Sequence, residues 1–181
     1  MNRKSSYSKE DLLDAGSGIL FGKENGKLPE PPMLMIDKIL HISDCGGKYN
    51  RGEIVAELVI DPKLWFFKCH FVSDPVMPGC LALDGLWQLL GFYLSWIGGR
   101  GRGRALGVKD LRLKGQIRPY HKSITYLLDI KKFLAKPMYM VWGDAVVTIN
   151  NKEIYFARNL QVGLFDNLTW DTGMDPSVDP F

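Results

Sequence analysis

The sequence predicts an α+β fold in which an antiparallel sheet wraps around one long central helix. Residues 80–97 are apolar on almost every side, and a helix of that kind is buried all round or set in a membrane. Several other segments alternate apolar and polar residues with a period of two, which is typical of half-buried strands. Because helices and strands do not alternate along the chain, we expect an antiparallel sheet and not a βαβ arrangement.

The composition predicts one domain over residues 1–181. Apolar residues make up 46% and charged residues 24%, with a net charge of +3, values that are ordinary for a globular protein and do not demand a nucleic-acid partner. Three cysteines without a CxxC spacing favour a reducing compartment, and three scattered histidines do not suggest a metal site. Without an apolar leader segment at the N-terminus, we expect a cytoplasmic protein that needs no metal or other cofactor.

Local signals place the elements in order. Ser8 and Asp11 form a candidate capping box for a short helix ending near Gly16, and prolines then predict an extended arm up to residue 32. Pro78 with Gly79 marks the start of the central helix. Strands are predicted at 33–42, 54–60, 104–117, 124–130, 138–149 and 154–165, with a hairpin turn at 150–152 and an irregular tail at 166–181.

A membrane span is the alternative for the central helix, since its 18 residues meet the lower limit for crossing a bilayer. That interpretation would place Asp84 and Gln88 inside the lipid, where a carboxylate costs on the order of 3 kcal/mol. No second apolar segment of similar length accompanies the helix. We therefore expect a core helix and no membrane span.

One polar stripe interrupts the apolar helix, because Asp84, Gln88, Gly91 and Ser95 recur at steps of four, three and four. A buried carboxylate needs a hydrogen-bond partner, and Gln88 is one turn from Asp84. His70 lies a short proline-rich connection upstream and carries the side chain that titrates nearest neutral pH. Their spacing predicts acid–base chemistry, although a satisfied core histidine and a structural carboxylate are the plainer alternatives.

The start of the helix adds a second feature. The N–H groups of Gly79 and Cys80 fall in the first turn, where the helix itself provides no acceptor. Such groups can bind a carbonyl oxygen and stabilise an enolate, and Gly79 is expected to leave space for the substrate. An ordinary helix start is the alternative. Cys69 and Cys80 are expected to pack and not to act as nucleophiles.

The segment from His70 to Leu89 closely resembles the β-hydroxydecanoyl acyl-carrier-protein dehydratase/isomerase family of bacterial fatty-acid synthesis. The likeness includes His70-Phe71, the run Pro75-Val76-Met77-Pro78-Gly79-Cys80-Leu81, Asp84 and Trp87-Gln88-Leu89, and extends to residues 7–13, 64–67, 103–108 and 162–165. It covers nearly the whole chain apart from the last residues. The resemblance implies the hot-dog fold, a homodimer with active sites at the subunit interface, and acyl carrier protein as the partner.

The resemblance also implies roles for the marked residues. His70 would take a proton from C2 of a medium-chain, decanoyl-sized 3-hydroxyacyl thioester, with Val76, Gly79 and Cys80 binding the substrate carbonyl. Asp84 of the opposite subunit, supported by Gln88, would protonate the departing hydroxyl to give the trans-2-enoyl product. Isomerisation to cis-3 would follow, because dehydratase-only relatives typically carry glutamate where this chain has Asp84.

Other functions stay open. A dehydratase or hydratase without isomerase activity and an acyl thioesterase would suit the same fold, and a non-catalytic acyl-binding or RNA-binding module is a third class. The Gly-Arg run at 98–104 is brief and has no aromatic residue to stack on a base, so we expect no nucleic-acid binding. Lys131, Lys132 and Lys136 form a candidate surface for docking an acidic carrier.

Overall fold

The computed structural model of the chain describes residues 3–166, so most of the predicted tail lies outside the described residues. Two α-helices, one 3-10 helix and seven strands follow one another along this part of the chain. They are α1 (Lys9–Ser17), β1 (Lys38–Ser43), β2 (Glu53–Val59), the 3-10 helix (Trp65–Lys68), α2 (Gly79–Trp96), β3 (Arg102–Gly107), β4 (Asp110–Leu113), β5 (Ser123–Leu134), β6 (Tyr139–Ile149) and β7 (Lys152–Phe165).

All strand pairs are antiparallel and belong to one sheet. The order is β1-β2-β5-β6-β7-β3, and β4 pairs with a separate stretch of β7. Helix α2 contacts β7, β6 and β3, so the sheet encloses it. This is the hot-dog arrangement, and the predicted fold class is confirmed.

Helix α2 is a core helix because the sheet and the N-terminal arm cover almost all of its surface. Thirteen of its eighteen residues are buried, and burying each large apolar side chain contributes about 1.5–3 kcal/mol relative to leaving it exposed. Its bounds lie one residue earlier at each end than the sequence predicts. Across residues 3–166 no helix is both long and apolar enough to cross a membrane.

Helix α1 begins as predicted and ends later. Ser8 accepts a hydrogen bond from the Asp11 N–H while the Asp11 side chain accepts one from the Ser8 N–H, which completes the capping box. The helix ends at Gly18, whose φ of 84° favours glycine. Gly16 instead packs against the Leu28 carbonyl, which would lie 3.2 Å from an added Cβ.

Two predicted strands are wrong in extent. The first begins at Lys38 and not at residue 33, because three consecutive buried residues (34–36) precede it and the Met35 N–H bonds to the Gln88 side chain. The strand predicted at 104–117 is two strands, since pairing with β7 shifts register between Ala105 and Gly107 and resumes at Asp110. The hairpin turn is confirmed, with φ of 49° and 64° at residues 150 and 151.

Candidate active site

His70 lies in the loop between the 3-10 helix and α2, where a hydrogen bond and a ring contact fix its side chain. Its Nδ1 is 2.8 Å from the Val76 carbonyl oxygen. Because a carbonyl oxygen only accepts, Nδ1 carries the proton of the neutral ring and Nε2 keeps its lone pair. The imidazole also stacks on Phe71, with ring centroids 4.0 Å apart. The loop therefore presents Nε2 as a base.

Val76 supports His70 and does not act as a free donor. Its N–H donates to the His70 carbonyl at 2.8 Å, while its own carbonyl accepts from the His70 ring. With both backbone groups used inside the loop, the Val76 N–H is not available to a substrate oxygen. Val76 therefore orients the histidine, and its expected contact with the substrate stays a prediction.

Arg118 anchors this loop from the segment that follows β4. Its guanidinium donates to the Asp74 carboxylate and, at 3.2 Å, to the Pro75 carbonyl. The Arg118 N–H in turn donates to His121 Nδ1 at 2.9 Å, and burial together with the Arg118 charge lowers the pKa of His121. A neutral His121 is the form that can accept this bond. Sequence analysis missed Arg118 because it is 44 residues away from Asp74.

Asp84 is half-buried on α2 and is bonded as predicted. The Gln88 Nε2 donates to Asp84 Oδ2 at 2.6 Å. Gln88 is 7% exposed and also bonds the N-terminal arm, accepting from the Met35 N–H at 2.9 Å and donating to the Met33 carbonyl at 2.8 Å. The arm thus holds the amide that orients the carboxylate.

The polar stripe on α2 faces the N-terminal arm across a cavity of about 230 Å³. Asp84, Gln88 and Gly91 line it, and Ser95 of the same stripe donates to the carbonyl of Gly26, another lining residue, at 3.0 Å. The remaining lining is mainly apolar and comes from the arm, α2, β3 and β7; it includes Leu28, Trp87, Phe92, Ala105, Val162 and Leu164. The stripe therefore marks both the seat of the arm and a wall of this cavity.

His70 and Asp84 do not meet within one chain. Among the residues that the structure describes, His70 does not line the Asp84 cavity, and the two side chains share neither a hydrogen bond nor an ion pair. Each has its own local support, from Val76 and Gln88 respectively.

The N-terminus of α2 offers two free donors. Leu81 is the first residue of the helix whose N–H is bonded, to the Pro78 carbonyl at 3.0 Å. Within residues 3–166 the N–H groups of Gly79 and Cys80 have no acceptor, and the positive end of the helix dipole reinforces them. These two groups can bind an oxygen atom that gains negative charge.

Gly79 lies close to two neighbouring side chains on the side where a Cβ would project. A Cβ added to Gly79 would lie 2.6 Å from Leu113 Cδ1 and 3.4 Å from the Tyr155 hydroxyl oxygen. Leu113 from β4 thus contacts this side of Gly79, and the expectation that Gly79 leaves space for the substrate stays a prediction. A side chain at position 79 would have to displace it.

Cys69 and Cys80 are exposed residues within the described chain, which does not support the packing roles expected for them. The Cys69 Sγ lies 3.6 Å from the Phe66 carbonyl oxygen, which places the thiol at the end of the 3-10 helix. In the described part of the chain no three His, Cys, Asp or Glu side chains lie close enough together to hold a metal ion.

The three lysines predicted to dock a carrier differ in their surroundings. Lys131 lies 3.3 Å from the Asp144 carboxylate, which offsets its charge. Lys132 lies over the Trp142 ring, 4.8 Å from the centroid, and both lysines line an open depression of about 670 Å³ together with Arg51. Lys136 is exposed on the connection between β5 and β6.

Comparison with known proteins identifies related sequences and folds. The family model for the FabA-like domain matches residues 28–158. A chain of the dehydratase heterocomplex ApeI:P from Xenorhabdus doucetiae is similar in fold, with a TM-score of 0.58 at 12% identity, covering 80% of this chain and 88% of that one. An uncharacterized protein from Pyrococcus horikoshii gives a TM-score of 0.53 at 8% identity, covering 76% and 88%.

Proposed function

The chain belongs to the FabA-like family, and on this premise we propose that it removes water from a 3-hydroxyacyl thioester carried by acyl carrier protein and then shifts the double bond. The bond from His70 Nδ1 to the Val76 carbonyl carries the proposal, because it leaves Nε2 free as a base. The unbonded N–H groups of Gly79 and Cys80 support it as donors to the thioester carbonyl.

The proposed dehydration is an elimination. His70 Nε2 takes the proton from C2 while the N–H groups of Gly79 and Cys80 stabilise the enolate oxygen. As the enolate collapses to the trans-2-enoyl thioester, the C3–O bond breaks and a protonated Asp84 gives its proton to the departing hydroxyl, which leaves as water. His70 then releases its proton to solvent, and Asp84 takes up a proton from solvent, so that both groups return to their starting states. No redox change occurs.

Isomerisation uses the same groups. Removal of a proton from C4 gives a dienolate, and return of a proton to C2 produces the cis-3-enoyl thioester. The decanoyl-sized substrate and this second step rest on the aspartate at position 84 and on the resemblance described above.

We further propose that the active form is a homodimer. Following the resemblance, the carboxylate that serves His70 is assigned to Asp84 of the partner subunit, and the separate hydrogen-bond partners of His70 and Asp84 within one chain are consistent with this assignment. Each dimer would then hold two sites related by a two-fold axis. The cavity beside Asp84 would lie on the side of α2 that faces the second His70 loop.

One assay separates this function from its alternatives. The purified protein is incubated with 3-hydroxydecanoyl thioester on acyl carrier protein while enoyl formation, the trans-2 to cis-3 ratio and free thiol are followed separately. We expect both enoyl products and no thiol release. Thiol release without an enoyl product would assign the chain to the thioesterases, and trans-2-enoyl alone would leave a dehydratase without isomerase activity.

Substitution of the exposed lysines on and after β5 tests separately whether acyl carrier protein docks on this surface. Reversal of Lys132 and Lys136 to glutamate should raise KM for the carrier-bound substrate and leave a short thioester without carrier unaffected, because rim charges act mainly on encounter. Lys131 is left intact because it pairs with Asp144. Lys152→Glu, at the exposed β6–β7 turn, is the matched control. Equal losses on both substrates would exclude docking as the role of these lysines.

A further inference from the structure

Tyr155 on β7 is a buried side chain whose hydroxyl has no hydrogen-bond partner among residues 3–166. The residue is 3% exposed, yet within residues 3–166 its hydroxyl forms no hydrogen bond. Two other buried tyrosines differ, since Tyr126 donates to the Met35 carbonyl at 3.0 Å and Tyr93 to the Arg51 carbonyl at 3.4 Å. In the described chain every fully enclosed side-chain N or O atom is bonded, so the Tyr155 oxygen borders accessible space.

The hydroxyl borders the N-terminus of α2. Its oxygen lies 3.4 Å from the point that a Cβ on Gly79 would occupy, and the free Gly79 N–H belongs to the same residue. Strand pairing produces this placement, because Tyr155 lies opposite Leu113 in the β4–β7 register and Leu113 contacts the same point at 2.6 Å. A buried, unpartnered donor thus accompanies the two free N–H groups.

The surroundings keep the phenol protonated. Burial, followed by the nearby Cys80 thiol, raises the pKa of Tyr155 above 10.0. At neutral pH the hydroxyl therefore retains its hydrogen and can donate it. A neutral hydrogen-bond donor in a desolvated position stabilises an oxygen atom that gains negative charge during a reaction.

We propose that the Tyr155 hydroxyl is a third donor, beside the N–H groups of Gly79 and Cys80, to the thioester carbonyl oxygen that becomes the enolate oxygen. This inference rests on the proposed function for the identity of the oxygen. It makes Tyr155 a catalytic residue for the formation of the enolate, which follows proton removal from C2 in dehydration, and of the dienolate, which follows proton removal from C4 in isomerisation.

Tyr155→Phe removes this hydroxyl and keeps the ring. Loss of one such donor typically costs about 10²–10³-fold in kcat, so we expect kcat for dehydration and the rate of C2 proton exchange with solvent to fall together by that order, with KM little changed. Tyr93→Phe is the control, because it removes a buried hydroxyl bonded to the Arg51 carbonyl; it should lower Tm and spare kcat. Wild-type kcat and exchange in Tyr155→Phe would overturn the proposal.

A second readout does not depend on turnover. Decanoyl thioester labelled with ¹³C at the carbonyl has no 3-hydroxyl to lose, and its infrared carbonyl band shifts to lower frequency when donors polarise it. We expect a downshift on binding to the wild-type protein and a smaller one on binding to Tyr155→Phe. Identical bands in the two proteins overturn the role of Tyr155 even if dehydration is observed. A difference between the bands supports it even if the dehydration assay fails.

Discussion

The tautomer of His70 is set by its own loop. The Val76 carbonyl 2.8 Å from Nδ1 leaves Nε2 unprotonated in the neutral ring, so the base is defined before any substrate is bound. Asp84 has a different hydrogen-bond partner, since the Gln88 amide nitrogen, 2.6 Å from Oδ2, donates to the carboxyl group and orients it. Two residues of ordinary type thus acquire distinct roles from two local hydrogen bonds.

Substitutions of His70 and Asp84 that preserve their hydrogen bonds test the proposed roles of these residues as base and acid. His70→Asn can still donate to the Val76 carbonyl but has no basic nitrogen, so dehydration and C2 proton exchange should both disappear. Asp84→Asn can still accept from Gln88 but cannot act as an acid, so dehydration should fall by about 10²–10⁴-fold while exchange persists. Product formation and loss of deuterium from a C2-labelled substrate are measured together.

The outcomes that contradict these assignments are specific. C2 exchange that survives in a folded His70→Asn protein would mean that another group removes the proton. Dehydration near the wild-type rate in folded Asp84→Asn would remove Asp84 from the mechanism.

At the scale of elements, the loop that carries His70 depends on the segment after β4. Arg118 bonds both Asp74 and Pro75, and the Met77 N–H donates to the Ile117 carbonyl at 2.9 Å. These contacts hold the loop at its far end, next to Val76. We therefore expect Arg118 to be a positioning residue that acts on His70 through the loop.

Removal of this anchor should weaken catalysis without removing a reacting group. We expect Arg118→Leu to lower kcat by about 10²-fold, the cost of a small misplacement of a catalytic group, with partial recovery in Arg118→Lys. The His70 ring should also lose its single tautomer, which ¹⁵N NMR of the imidazole reports. Arg112→Leu removes an exposed partner of Asp110 and is the control. An unchanged kcat and ¹⁵N spectrum in Arg118→Leu would contradict the positioning role.

The elements differ in how far the sequence could predict them. Helix α2 could be placed to within one residue because it is apolar all round and is bounded by Pro78 and a pair of glycines. The break between β3 and β4 could not be predicted, since the apolar alternation continues across Gly107 while the pairing with β7 shifts. The 3-10 helix was also missed, because four consecutive apolar residues at 64–67 have no helical or strand period.

The residues of the candidate site also divide into those that the sequence could predict and those that it could not. His70 and Asp84 were identifiable because their residue types are unusual in apolar surroundings, and Gln88 because it is one helical turn from Asp84. Tyr155 and Arg118 reach the site only through strand pairing and a long-range contact, which a single sequence does not encode locally. The competition of Leu113 for the space beside Gly79 has the same origin.

At the scale of the whole molecule, Asp144 links several parts of the sheet. It accepts from the Tyr49 hydroxyl at 2.5 Å and from the Asn159 N–H at 2.8 Å, and Lys131 lies 3.3 Å away. Burial opposes ionisation of Asp144, but these donors prevail and lower its pKa below 3.8. The bond to Asp144 raises the pKa of Tyr49 from 10.0 to about 12.

These shifts make stability depend on pH at both extremes. The contribution of Asp144 is complete above pH 3.8 and is lost as pH falls through its lower folded-state pKa. The contribution of Tyr49 is complete below pH 10.0 and is lost as pH rises through about 12. In Asp144→Asn we expect a lower Tm at neutral pH and a weaker dependence of Tm on pH in both windows.

The exposed pair of Asp110 with Arg112 provides the control for this experiment. Asp110→Asn should reproduce the wild-type dependence of Tm on pH. A parallel profile for Asp144→Asn and wild type across both windows would show that the Asp144 cluster does not contribute to the pH dependence.

Mixing of variant subunits tests directly whether His70 of one chain and Asp84 of its partner form the catalytic pair. His70→Ala and Asp84→Asn chains, each nearly inactive alone, are exchanged to form mixed dimers. If the site spans the interface, each mixed dimer has one intact pair and regains about half of the wild-type activity per dimer. Wild type mixed with the double variant carrying both substitutions should give inactive mixed dimers. No recovery in the first mixture, together with half-active dimers in the second after verified exchange, would place the whole site within one chain and contradict the account.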